Sequence, residues 1–137
     1  MAKKLSEVQL RNVIDEEREL FNQIQDKLGF KKEAEFYGLC AAIGMSHHLK
    51  NRNENLSRLY NGKTAWHSTS INGINTFEYL LDLRYPQQED NQRNLFEDLF
   101  YTGFLIVSKW WETRGQDCRN ELERFIDLLN FIEQPED

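Results

Sequence analysis

Proline and cysteine are scarce in this chain, two of each in 137 residues, and valine occurs three times against seventeen leucines. So little proline leaves few forced breaks, and so little β-branched content argues for helices over a sandwich or barrel. Cys40 and Cys118 lie far apart inside helical patterns and read as a reduced pair, not a disulfide framework. No run reaches the roughly 18 apolar residues that a membrane-spanning helix needs. The opening Met1-Ala-Lys-Lys-Leu-Ser lacks the apolar core of a signal peptide, so a cytoplasmic protein is expected. The Walker-type phosphate loop, the GxGxxG dinucleotide turn and the GxSxG nucleophile elbow are all missing.

What the chain does have is leucine, phenylalanine and charge at helical spacing. Ser6 to Leu28 carries Leu10, Val13, Ile14, Leu20, Phe21, Ile24 and Leu28, with Ser6 as cap and Gly29 as stop, which predicts a long amphipathic helix. Residues 32–45 contain Phe36-Tyr-Gly-Leu-Cys-Ala-Ala-Ile43, apolar nearly all round, so this helix should be central, with Gly44 ending it. A fourth segment over residues 72–84 places Ile74, Phe77, Leu80 and Leu81 on one face, and Tyr85-Pro86 stops it. A fifth over residues 90–113 carries Leu95, Phe96, Leu99, Phe100, Phe104, Val107 and Trp111. The last, over residues 117–133, is expected to face Leu122, Phe125, Ile126, Leu129 and Ile132 inward. The expected fold is all-α: a compact single-domain bundle of five to six helices over residues 1–137, with a long basic central loop.

That loop is where periodicity fails. Residues 46–67 hold His47, His48, Lys50, Arg52, Arg58, Lys63, Trp66 and His67, with a short helix expected at Leu56–Tyr60 and a turn at Asn61-Gly62. The whole chain is net −6, yet residues 44–70 are net +3 while residues 112–137 are net −5. Basic, Asn-rich and dotted with aromatics, the segment suits phosphate contact and base stacking. A solvated loop whose charge merely balances the acidic helices is the commoner use of such a composition. A long unpatterned connection in a compact domain is more often functional or mobile than accidental. His47, His48 and His67 lack any metal-ligand spacing, so neither a metal nor another cofactor is expected.

Other chemistry is thin. Cys40 reads as a small buried hydrophobe, whereas Cys118 sits near a helix start that would lower its pKa. Ser68-Thr69-Ser70 reads as a helix cap. Glu16-Glu17 and Glu97-Asp98 read as solvated carboxylates on polar helix faces, not as an acid–base couple. The expectation is therefore not an enzyme. Trp110 and Trp111 point about 100° apart on a helix, so Trp110 is either core or a protein interface. Together with Glu121, Glu123 and Asp127 it forms a second candidate contact surface.

Phe36-Tyr-Gly-Leu-Cys-Ala-Ala-Ile-Gly-Met45, the basic break, and the helix carrying Ile74, Phe77, Leu80 and Leu81 resemble small accessory proteins of bacterial DNA-phosphorothioation (Dnd) systems over residues 30–112. The resemblance implies a role in antiviral defence against phage or foreign DNA, without catalysis of its own. Two binding roles follow as expectations. One is an adaptor contacting DNA or a protein partner through residues 46–67. The other is an acidic phage-type inhibitor that blocks a defence complex by nucleic-acid mimicry. A protein partner, a nucleic acid and a second copy of the chain are the partners to consider, and a membrane is not.

Overall fold

The computed structural model describes residues 4–13, 15–47, 64–86 and 92–133. The chain is all-α, a compact bundle of five described helices: α1 (Asp15–Lys27), α2 (Glu33–His47), α3 (Ile74–Arg84), α4 (Gln92–Thr113) and α5 (Glu121–Glu133). Beside them lies one small antiparallel ladder of β1 (Gln9–Arg11) and β2 (Thr64–His67), which the leucine-rich composition does not foretell. Among the described residues, no helix is long and apolar enough to cross a membrane. The short helix at Leu56–Tyr60 and the turn at Asn61-Gly62 lie outside the described residues, as does most of the basic loop.

The first helix is shorter than expected. Residues Leu5–Glu7 form a 3-10 turn and Gln9–Arg11 a strand, so the helix begins only at Asp15. The local burial explains this: Val8, Leu10 and Asn12 are buried while Gln9 is exposed, a period of two and not of 3.6. Pairing runs Gln9 with His67, Leu10 with Trp66 and Arg11 with Thr64. Ser6 caps no long helix, and its N–H donates to Glu78 Oε2 at 2.8 Å. From Asp15 onward the helix obeys its sequence. Asp15, Glu16 and Glu17 crowd the positive end and Lys27 the negative end. Gly29 closes it at φ +85°, with Gly29 N–H on Asp26 O (3.0 Å) and Phe30 N–H on Gln25 O (3.1 Å), a Schellman stop.

The core lies where α2 crosses α4. Tyr37 stacks on Phe100 with ring centroids 3.7 Å apart, and Phe21 reaches Phe36 at 4.9 Å and Phe104 at 5.8 Å. Gly44 does not end α2; the helix runs through it to His47. A methyl at Gly44 would collide with the Leu99 carbonyl, and one at Gly103 with the Cys40 carbonyl, so the two backbones touch at this crossing. Later boundaries shift less. Gly73, at φ +80°, caps α3 in place of the Ser68–Ser70 run, which forms its own 3-10 turn. Another 3-10 turn, Gly115–Asp117, follows α4 and delays α5 to Glu121.

Candidate functional site

The N-terminal segment is held by side-chain acceptors, and these shape a cleft. Gln92 Oε1 accepts from Leu5 N–H at 3.0 Å, while Gln92 Nε2 donates to Asp82 at 2.5 Å. Glu97 Oε2 accepts from Arg11 N–H at 2.7 Å, and both Glu97 oxygens take the Arg11 guanidinium at 2.5–3.1 Å. Tyr37 Oη closes the set by donating to Arg11 O at 2.9 Å. Glu97 and Asp98 are therefore not solvated groups on a polar helix face, since both are buried. A charge is tolerated there because Glu97 is paired and fully hydrogen-bonded. Glu16 is exposed as expected, but Glu17 accepts from Tyr101 Oη at 2.6 Å.

Against this platform opens a cleft of about 420 Å³ lined by Glu7, Val8, Gln9, His67 and Arg93. Arg93 Nε lies 3.7 Å from Glu97 Oε2, and its side chain is 37% exposed. Its buried Nε has no hydrogen-bond partner among the described residues. A cation set over a buried anion, with one edge toward a cleft, is a usable anion contact. Sequence reasoning missed Arg93. The missing signal was the strand pairing that carries residues 8–9 and His67 to the start of α4.

The predicted basic-segment residues are only partly placed. His48, Lys50, Arg52, Arg58 and Lys63 lie outside the described residues, and of Trp66 the structure gives its backbone place in β2. His67 is exposed at the cleft, where its Nδ1 accepts from Thr69 N–H at 3.2 Å and caps the Ser68–Ser70 turn. His47 sits in the last turn of α2. Its Nδ1 meets Ile43 O at 2.9 Å and its Nε2 meets Ile132 O at 3.2 Å, tying α2 to the end of α5. Among the described residues no cluster of three or more His, Cys, Asp or Glu side chains could hold a metal ion. Burial pushes both the Cys40 and the Cys118 thiols up, the opposite of the lowering expected for Cys118 at a helix start.

The second candidate surface changes character. Trp110 is not an interface residue: it is fully buried, and its Nε1 donates to Asp127 Oδ2 at 2.9 Å. Asp127 also takes the Arg114 guanidinium, on both carboxylate oxygens. Neither Trp110 nor Asp127 is thus offered to a partner. Glu121 bends over Gly29 at the rim of a polar recess of about 620 Å³, while Glu123 Oε2 accepts from Arg119 N–H at 3.4 Å and Asn120 Oδ1 accepts from Glu123 N–H at 2.9 Å. An apolar stripe also stands outward on α5 among its exposed glutamates. Leu122, Ile126 and Leu129 were expected inside, yet they are 71%, 52% and 56% exposed. Leu128 is buried instead, while Phe125 and Phe131 are half-buried. The available signal was excess: seven of the thirteen residues of α5 are apolar, more than one face can hold.

The Arg114 guanidinium holds the Asp127 carboxyl below its ordinary value, with the Trp110 N–H adding to the effect and burial opposing it. A depressed carboxylate pKa stabilises the fold above the unfolded value near 4, and the benefit disappears as pH falls through the folded value. Acid titration followed by tryptophan fluorescence should therefore show α5 loosening below about pH 4. Asp127→Asn should lower stability at neutral pH and remove that acid step; an unchanged step in the variant would refute the assignment.

Comparison of this chain with protein-family models, curated proteins and solved structures finds no match.

Proposed function

We propose that this protein is a non-catalytic binding protein, a cytoplasmic adaptor that contacts nucleic acid through residues 46–67 and the adjoining cleft. The observation that carries the reading is the position of Arg93 and His67, which line a cleft at the point where β2 leaves the basic segment. Lys50, Arg52, Arg58 and Lys63 precede that point in the chain and would supply further phosphate contacts. Glu7 is exposed on the cleft itself, but two other carboxylates nearby are engaged by the fold, Glu78 on Ser6 N–H and the buried Glu97 on Arg11. Their charge is spent on the fold and weakens the local positive field less than the total of −6 suggests. The likeness of residues 30–112 to Dnd accessory proteins supports a setting in prokaryotic antiviral defence.

A labelled DNA duplex, titrated with the protein at several salt concentrations, tests the proposal. Affinity should fall steeply with salt, by a log–log slope of about 0.9 per phosphate contact. Replacing Lys50, Arg52, Arg58 and Lys63 with Ala should flatten that slope by up to about 4, and Arg93→Gln by about 1. Binding that is absent from the parent protein, or unchanged in both variants, would overturn the reading.

A further inference from the structure

We propose that the outward face of α5 docks an amphipathic helix from another protein chain, one whose apolar seam is flanked by Lys and Arg. This surface is separate from the basic segment and calls for a partner of opposite charge. Leu122, Ile126 and Leu129 stand 71%, 52% and 56% exposed at positions i, i+4 and i+7. That spacing sets them on one seam, the geometry with which one helix receives another. Scattered exposed leucines are ordinary, whereas three aligned on two turns of one helix make a patch.

The stripe is not a misplaced inner face. α5 is already seated from below by buried Leu128, by Phe125 against Phe30 (ring centroids 5.8 Å), and by Asp127 on Trp110 and Arg114. The second stripe is therefore additional to what the fold needs.

Charge selects the occupant. Glu123 and Glu133 are exposed along the same helix and Glu121 closes over Gly29 at its start, against one exposed arginine just before the helix, Arg119, so the acidic groups are in excess. Arg114 is turned onto Asp127 and Arg124 onto Lys27 O at 3.0 Å, so neither offsets those carboxylates on the outward side. A second copy of α5 would set acid beside acid, which disfavours pairing of the chain with itself. A helix with a leucine seam and basic flanks satisfies both the stripe and its rim.

The probe is a labelled synthetic peptide of three heptads with Leu at the seam and Lys at the flanks, compared with a twin carrying Glu at the flanks. Titrated into the full chain by fluorescence anisotropy, the Lys peptide should bind at least about tenfold more tightly than the Glu twin. The triple variant Leu122→Gln, Ile126→Gln, Leu129→Gln should lose the binding. The double variant Glu123→Lys, Glu133→Lys should reverse the preference between the peptides. Leu122, Ile126 and Leu129 are exposed, so the triple variant should melt as the parent does. Glu123→Lys also removes the acceptor of Arg119 N–H and should lower the melting temperature by a few degrees, so binding is compared well below both melts. Equal binding of the two peptides, or full binding by the triple variant, would overturn the proposal. So would a dimer in sedimentation that the triple variant dissolves, because the occupant would then be a second copy. If the triple variant fails to fold, the charge-reversed variant decides alone.

Discussion

Gly103→Ala is expected to be the most damaging small substitution in the chain. A β-carbon at position 103 would be driven into the Cys40 carbonyl oxygen, 2.6 Å from its carbon and 3.0 Å from Gly44 N. The obstacle is backbone on the facing helix, so no side chain can rotate away. Alanine normally helps a helix interior by up to about 1 kcal/mol relative to glycine, so propensity alone predicts a gain. Overpacking a well-filled core costs about 1–3 kcal/mol, and more where the neighbour is rigid. Relief here requires α2 and α4 to separate, which would unstack Tyr37 from Phe100 and open the densest part of the core. The net loss should reach about 3 kcal/mol or more, from a total of about 5–15 kcal/mol for such a domain. A fall in Tm of about 10 °C or more should follow. Gly44→Ala, facing the Leu99 carbonyl across the same crossing, should behave alike, whereas Gly73→Ala meets no neighbouring atoms and should pay only for its positive φ. A Gly103→Ala protein that melts within a few degrees of the parent would show that the crossing is looser than its geometry.

The two glycines also mark how far the sequence could be read. The apolar wrap of residues 36–43 correctly made α2 the central helix, because burial on all sides leaves no polar stripe. Glycine commonly ends helices, so the sequence alone makes Gly44 a stop, and only the facing Gly103 shows why it sits in the interior. α3 and α4 followed their apolar spacing to within about two residues at each end, which is the usual uncertainty of such boundaries. β1 was illegible: three residues of alternation are too few to outweigh Leu10, Val13, Phe21 and Ile24 at helical intervals, and its partner lies more than fifty residues away. Of the candidate site, His67 was legible and Arg93 was not, since a single arginine in a helix has no local signature. α5 misled for another reason. Leu122, Ile126 and Leu129 share a period with Phe125 and Ile132, and periodicity alone does not say which of two apolar faces meets the core.

Glu97 carries the second large effect. Glu97→Ala should destabilise the fold by about 3–5 kcal/mol, the cost of breaking a buried ion pair and leaving one partner behind. The carboxylate is fully buried, and the Arg11 side chain is only 13% exposed, so a guanidinium that loses its buried counter-charge gains little water in its place. The same substitution orphans Arg11 N–H, which has Glu97 Oε2 at 2.7 Å, while Asn94 Oδ1 would still accept from Arg11 Nη2 at 3.1 Å. Glu97→Gln separates the two losses: an amide oxygen can still accept from the backbone N–H, but it offers no charge to the guanidinium, so it should cost less than Ala. The double variant Arg11→Leu, Glu97→Leu should recover much of the loss, because a buried pair is often replaceable by apolar side chains of similar size. Chemical denaturation of the four proteins gives the coupling between the positions. Hydrogen exchange should place the damage at the amides of β1, because Glu97 joins that strand to α4 whereas α2 and α4 touch directly at Gly44 and Gly103. If Glu97→Ala cost under about 1 kcal/mol, Arg11 would have to find water, and the strand would be held by its pairing with β2 and not by the carboxylate.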